Sequence, residues 1–306
     1  MRWLVSLAVA LSVLVSFGAE PQAKSSARRR NALDNEQVAQ FVVANAAFTL
    51  YHEFGHALVH ELNLPVLGRE EDAVDNLATL IMIPDEDDPE QQDLIVAAAR
   101  SWLLSHNAAA GMEDEIEDEE DDEEDEDDEE DEEEDDGPAF WDEHGVDLQR
   151  FYSIVCLLYG SDPDHFQDVA DDAELPEERQ ETCIPEFEQV SKSWLRVLEP
   201  HLAASENKNN GKNKPPKKKG ATVNVKFDKP SNKHKHLHDF LKKSGIVSDI
   251  AKDFAATFIL PRSLTARITS CDEPNAYWDP DERSVTLCYE LLEEFEALIV
   301  DDLQEE

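Results

Sequence analysis

Positive charge is scarce in this 306-residue chain: 27 Lys and Arg stand against 71 Asp and Glu, for a formal net charge of −44. That balance argues against a nucleic-acid binder, because phosphate recognition needs a basic face. Beyond the N-terminus no run of about 18 apolar residues occurs, which excludes an internal membrane span. Cysteine is sparse too, at four residues. None has zinc-knuckle spacing, so cysteine metal ligands are not expected. Cys156, Cys183, Cys271 and Cys288 can instead form disulfides in three connectivities. The local pairing, 156 with 183 and 271 with 288, is the one expected.

Apolar residues make up 41% of the chain, enough for a real core. The first of them form a stretch from Trp3 to Phe17, behind Arg2, broken only by Ser6, Ser12 and Ser16. A short charged start and an apolar stretch of this length make a secretory signal. Residues 1–18 are the expected signal peptide, cut after Gly18, with Ala19 and Ala23 as other candidate sites. Residues 19–33, with Arg28-Arg29-Arg30, are expected to be a disordered leader that carries no inhibitory cysteine. The expected location is therefore extracellular or in the secretory pathway, where disulfides are stable.

Residues 34–306 are expected to form a single domain. Its helical part, 34–203, opens at Asp34, which with Gln37 resembles a capping box. Apolar residues continue to Leu62, where Asn63 and Pro65 stop the helix. Further helices are expected over 69–82, 89–106, 146–159 and 184–202. Residues 113–136 are all Asp or Glu except Ile116, just over half of the net charge. Like charges at this density predict an extended, solvated loop. Residues 204–220 are lysine-rich and read as a linker. From 221 the texture is sheet-forming. Val223, Val225 and Phe227 alternate like a strand. Leu264–Thr269 and Ser284–Cys288 are expected to form a hairpin around a turn at 279–282. Helices are expected at 236–243, 246–258 and 290–303. The fold class is α+β, mainly helical with a small sheet and disulfide support.

The chemistry lies in His52-Glu53-Phe54-Gly55-His56, an HExxH motif inside a predicted helix. Histidines four apart project from one helical face, so both imidazoles can meet one metal ion at about 2.0–2.1 Å. Glu53 can then lean over the open coordination position and accept a proton from water. A third protein ligand is needed. Position 62, where a metzincin would carry histidine, is Leu62. His60 lies two turns from His52, about 12 Å along the axis, too far to share its metal. Glu71 on the next helix is the candidate ligand, with Glu70 and Asp72 as rivals. Asp75, one turn on, can hydrogen-bond a ligand histidine and fix its tautomer. The bland alternative is that these acids only decorate a helix N-terminus, where negative charge is favourable.

HEFGHALVHELNLPVLGREEDAVDNLATL closely resembles the signature of an uncharacterised family of secreted proteins inferred to be metallopeptidases, with gluzincin-like active-site logic. PAFWDEHGVDLQRFYSIVCLLYGSDP and CDEPNAYWDPDERSVTLCYELLEEF are similar to further segments of that family. The resemblance covers most of 36–203 and 221–306. It implies a zincin-like fold, one bound zinc ion (Zn2+) and hydrolysis of a peptide or protein substrate. His144, within the WDEHG segment, is the candidate to stabilise an oxyanion, with Tyr152 two helical turns on. In the family the CDEPNAYWDP segment precedes the HExxH helix; here it follows. The chain thus resembles a circular permutation of the family order, with 204–220 joining the usual ends. That order predicts that Glu306 and the region near Asp34 are neighbours.

The leading expectation is a secreted zinc metallopeptidase, with His52, His56 and Glu71 as ligands, Glu53 and His144 as catalytic groups and Asp75 behind a ligand. An extended peptide would pair with an edge strand of the sheet. Two competing classes are an acidic extracellular protein that interacts with calcium or mineral, and a zinc-bearing binding module without turnover. The acidic block could give only weak Ca2+ binding, since it lacks the glycine and alternation of an EF-hand loop. His234, His236 and His238 are expected in a mobile basic stretch. Trp102, Trp194 and Trp278 are expected in the core or at its rim.

Overall fold

The computed structural model describes residues 32–84, 88–120, 146–203 and 221–305. The expected signal, the expected leader up to residue 31, most of the acidic block, His144 and the lysine linker lie outside these residues; Ala32 and Leu33, expected at the end of the disordered leader, are ordered in a 3-10 turn. A 3-10 turn at Ala32–Asp34 leads into α1 (Glu36–Leu62), followed by α2 (Glu70–Met82), α3 (Pro89–Glu120), α4 (Asp147–Ser161), α5 (Gln167–Asp172) and α6 (Glu177–Leu198). The second half runs β1 (Val223–Phe227), α7 (Lys235–Ser244), α8 (Ile246–Thr257), β2 (Leu264–Thr269), β3 (Ala276–Asp279), β4 (Ser284–Cys288) and α9 (Tyr289–Glu305). The architecture is mainly helical with one four-stranded sheet, as the α+β reading expects.

Helix α1 is the axis of the molecule. It is apolar nearly all round, so it must be enclosed, and it packs against α2, α3, α8, α9, β3 and β4. Its N-cap is Asn35, whose side chain accepts from the Gln37 amide at 2.9 Å, rather than Asp34 as the capping-box pattern predicts. Asp34 instead ends the preceding 3-10 turn. Asn63 closes the helix in the left-handed region, at φ 51°, a conformation asparagine tolerates. The Phe54 ring stacks on Phe254 of α8 with centroids 4.3 Å apart, so the side of the HExxH turn away from His52 and His56 is fixed to the core.

The sheet order is β1-β2-β4-β3. β1 runs parallel to β2, β2 parallel to β4, and β3 antiparallel to β4. This corrects the expected hairpin: Leu264–Thr269 and Ser284–Cys288 run in the same direction, and the hairpin partner of β4 is β3. The burial pattern gives the reason. Every residue of β4 is buried whereas none of β3 is fully buried, so β4 takes the interior position and β3 the edge. The turn between them is an Asx turn, in which Asp279 Oδ1 accepts from the amides of Asp281 and Glu282.

Both disulfides follow the local pairing, Cys156–Cys183 between α4 and α6 and Cys271–Cys288 beside the sheet. The acidic block departs from expectation at its start, because α3 continues through it to Glu120. Glutamate is a good helix former, propagation from an existing helix is cheap, and each like-charge pair costs only a few tenths of a kcal/mol. Helix α6 begins at Glu177, earlier than 184, and tolerates Pro185 within it. The histidines after the linker also depart from expectation. His234 is buried against Glu293, and His236 Nε2 lies 2.9 Å from Glu296 Oε2, so they dock α7 on α9. The Ala32–Asp34 turn packs against α9. Glu306, which the permuted order places near Asp34, lies outside the described residues.

Candidate metal centre

The two histidines of HExxH lie on the α1 face that meets α2. His52 and Glu53 are buried, at 5% and 7% exposure, and His56 is half-buried. Helix α2 begins after Gly68 and presents Glu70, Glu71 and Asp72 in its first turn. The helices are in close contact at Gly55, where a Cβ would lie 2.8 Å from Val74 Cβ. The absence of a side chain in the middle of the motif is therefore what lets α2 come near enough for its acids to reach the imidazoles.

Each acid has a distinct place. Asp75 Oδ1 lies 2.7 Å from His52 Nδ1, and Glu70 Oε1 lies 2.8 Å from His56 Nδ1. Glu71 lies between the rings, with Oε2 3.1 Å from His52 Nε2 and Oε1 3.3 Å from His56 Nε2. The two Nε2 atoms are 3.2 Å apart. Asp72 is exposed. Carboxylates only accept, so both imidazoles donate from Nδ1; Nε2 then carries its lone pair on the Glu71 side in the neutral ring and donates to Glu71 in the protonated ring. His60 is exposed, with its ring 6.1 Å from that of Trp278. His144 lies outside the described residues.

The two Nε2 atoms lie 3.2 Å apart and each lies 3.1–3.3 Å from its nearer Glu71 oxygen, so with neutral rings these lone pairs would repel without a cation. Ligand atoms about 2.0–2.1 Å from a tetrahedral ion stand about 3.3 Å apart, so the spacing fits a small tetrahedral metal. His52, His56 and Glu71 offer ligand atoms that lie together within 4.8 Å. Among the described residues the other such group is Cys271, Cys288 and Glu290, whose two sulfurs are already joined in a disulfide.

The electrostatics favour a cation. Burial lowers the His56 pKa, but hydrogen bonds to Glu71 and Glu70 and the neighbouring carboxylate charges overcome it and push it up to about 9. His52 is likewise raised: burial opposes this, and Asp75 and Glu71 outweigh it. For Asp75, burial works upward, and the His52 hydrogen bond and the Arg150 charge hold the carboxyl below its usual range.

Arg150 of α4 did not emerge from the sequence. Its guanidinium reaches Asp75 through Nε and Nη2, both at 2.7 Å, and lies 3.6 Å over the Trp102 ring centre. An arginine at the start of a helix carries no spacing signal, and its partner is 75 residues away. Tyr152, two residues on, is half-buried.

No curated protein and no solved structure matches the chain. A family model described as "Putative metallopeptidase" matches residues 13–198 and 227–306. The matched residues form most of the sequence and contain the whole histidine–glutamate cluster. The chain belongs to this metallopeptidase family.

Proposed function

We propose that the protein is a secreted, zinc-dependent peptidase in which His52, His56 and Glu71 hold one zinc ion and Glu53 is the general base. The observation that carries this reading is the convergence of three donors at tetrahedral spacing, with both imidazole Nδ1 atoms already engaged by carboxylates. Zinc bound there would polarise the scissile carbonyl and lower the pKa of water. Glu53 follows His52 on α1 and is buried beside the donors. It takes the proton from the attacking water and returns it to the leaving amine. Asp75 and Glu70 hold the two rings in the tautomer that keeps Nε2 unprotonated.

The substrate is a peptide in extended form. β3 is an edge strand that packs against α1, and among the described residues its outer edge pairs with no strand. A peptide added there would lie along the helix that carries Glu53, with main-chain hydrogen bonds supplying affinity. Secretion is supported by the apolar N-terminal segment and by two disulfides.

The test is metal content by mass spectrometry on purified wild type and His52→Ala, followed by peptide hydrolysis with Glu53→Gln. One zinc per chain that is lost in His52→Ala is expected. Glu53→Gln should keep the zinc and lose turnover by about 10²–10⁴-fold. Wild type without stoichiometric zinc would sink the metal reading, and full turnover in Glu53→Gln would sink the assignment of the base.

A further inference from the structure

Arg150 links the candidate centre to two helices that supply no ligand. Asp75 Oδ1 accepts from His52 Nδ1 and from Arg150 Nη2, both at 2.7 Å, while Oδ2 accepts from Arg150 Nε at 2.7 Å. One carboxylate therefore receives donors from α1 and α4 together. The Asp75 carboxylate takes the edge of the guanidinium, and a face of it rests on Trp102 of α3. The Trp102 indole N–H is buried without a hydrogen-bond partner, so packing and the stack on Arg150 place that ring. α4 is itself tied to α6 by Cys156–Cys183.

We propose that Arg150 is a positioning residue for the metal centre: held between Trp102 and Asp75, it fixes the carboxylate that aims His52 Nε2 at the metal. This rests on the reading of His52, His56 and Glu71 as ligands. A carboxylate turns freely about its last bond, and one imidazole N–H restrains one of its oxygens. A guanidinium fork engages both oxygens and fixes the plane. It also supplies the charge without which a buried carboxylate is costly. Lysine would supply a point charge but neither the fork nor the stack. The chain Trp102, Arg150, Asp75, His52 thus passes the packing of α3, α4 and α2 on to one ring of α1.

The test measures zinc affinity by competition with a chromophoric chelator on the full chain. The proteins are wild type, Arg150→Met, Arg150→Lys, Trp102→Leu, Asp75→Asn and Arg150→Met/Asp75→Asn. Folding is checked by circular dichroism and by melting of the chelated form. Arg150→Met and Asp75→Asn should each weaken zinc binding by about 10–100-fold. Arg150→Lys should restore only part of the loss, and the double variant should bind no more weakly than Asp75→Asn, because both act through one carboxylate. Wild-type affinity in Arg150→Met overturns the proposal, as do additive losses in the double variant, which would mean a structural role independent of Asp75. If Arg150→Met does not fold, Arg150→Lys and Trp102→Leu decide: weaker zinc binding with unchanged melting supports the proposal, and unchanged binding overturns it. Wild type that binds no zinc overturns the ligand reading as well, which separates the two failures.

Discussion

Gly55 offers a direct way to test whether the α1–α2 approach sets the metal geometry. A Cβ on Gly55 would lie 2.8 Å from Val74 Cβ, 2.9 Å from Val74 Cγ1 and 3.5 Å from Val74 Cα. Comfortable carbon contacts are about 3.5–4.0 Å, so Gly55→Ala must move the helices apart by roughly 0.7 Å. Val74 is fully buried and β-branched, so it has no second rotamer to retreat into. Glu71 and Asp75 lie three residues before it and one after, and they move with it. Metal–ligand distances tolerate about 0.2 Å, several-fold less than the displacement. Zinc affinity should therefore fall by at least ten- to a hundred-fold. Stability should change far less: overpacking costs about 1–3 kcal/mol, offset by about 1 kcal/mol from replacing a helical glycine. The assay pairs chelator competition with denaturant melts of the metal-free protein. Gly55→Ala/Val74→Gly removes both short contacts and should recover zinc affinity while losing further stability. The reasoning is refuted if Gly55→Ala binds zinc like wild type, or if the double variant binds no better than the single one.

Three further outcomes are expected. In metal-free protein His56 is raised to about 9 from an ordinary value of about 6.5. Its protonation stabilises the fold in full below about pH 6.5, and this contribution is lost as the pH rises through about 9. Thermal melts of chelated protein should decline across that window while zinc binding, which needs neutral imidazole, strengthens; a flat metal-free profile would count against the carboxylate cage. Cys156–Cys183 closes a separation of 27 residues, so Cys156→Ala/Cys183→Ala should lose about 3–4 kcal/mol of unfolding free energy, and a loss below about 1 kcal/mol would deny the bridge that role. Deleting 113–136 should leave zinc content and hydrolysis intact, since α1, α2 and α4 carry the site; loss of both would assign the acidic block to the catalytic machinery.

What was legible in the sequence is what depends on local periodicity. His52 and His56 share a face because they are four apart, and Glu71 and Asp75 repeat that spacing on the next helix. The short connection between α1 and α2 leaves little freedom in how those faces meet. The choice of Glu71 over Glu70 and Asp72 was not legible. It depends on which way α2 is rotated, and that is set by Val74 against Gly55 and by burial of Leu77 and Ala78. Nor could alternation reveal the place of β4, since an all-buried strand has a fixed position only once its neighbours are known. Arg150 was the least accessible of all. Its two contacts reach α2 and α3, and no pattern within α4 encodes either. The candidate ligand residues are thus written in short stretches of chain, whereas the restraint on their orientation comes from helix packing. On the proposed reading, a chain that keeps HExxH and ExxxD intact would still lose the metal through a change in α3 or α4. The motif identifies the candidate ligands, and the contacts of Arg150 and Gly55 decide whether they are held at bonding geometry.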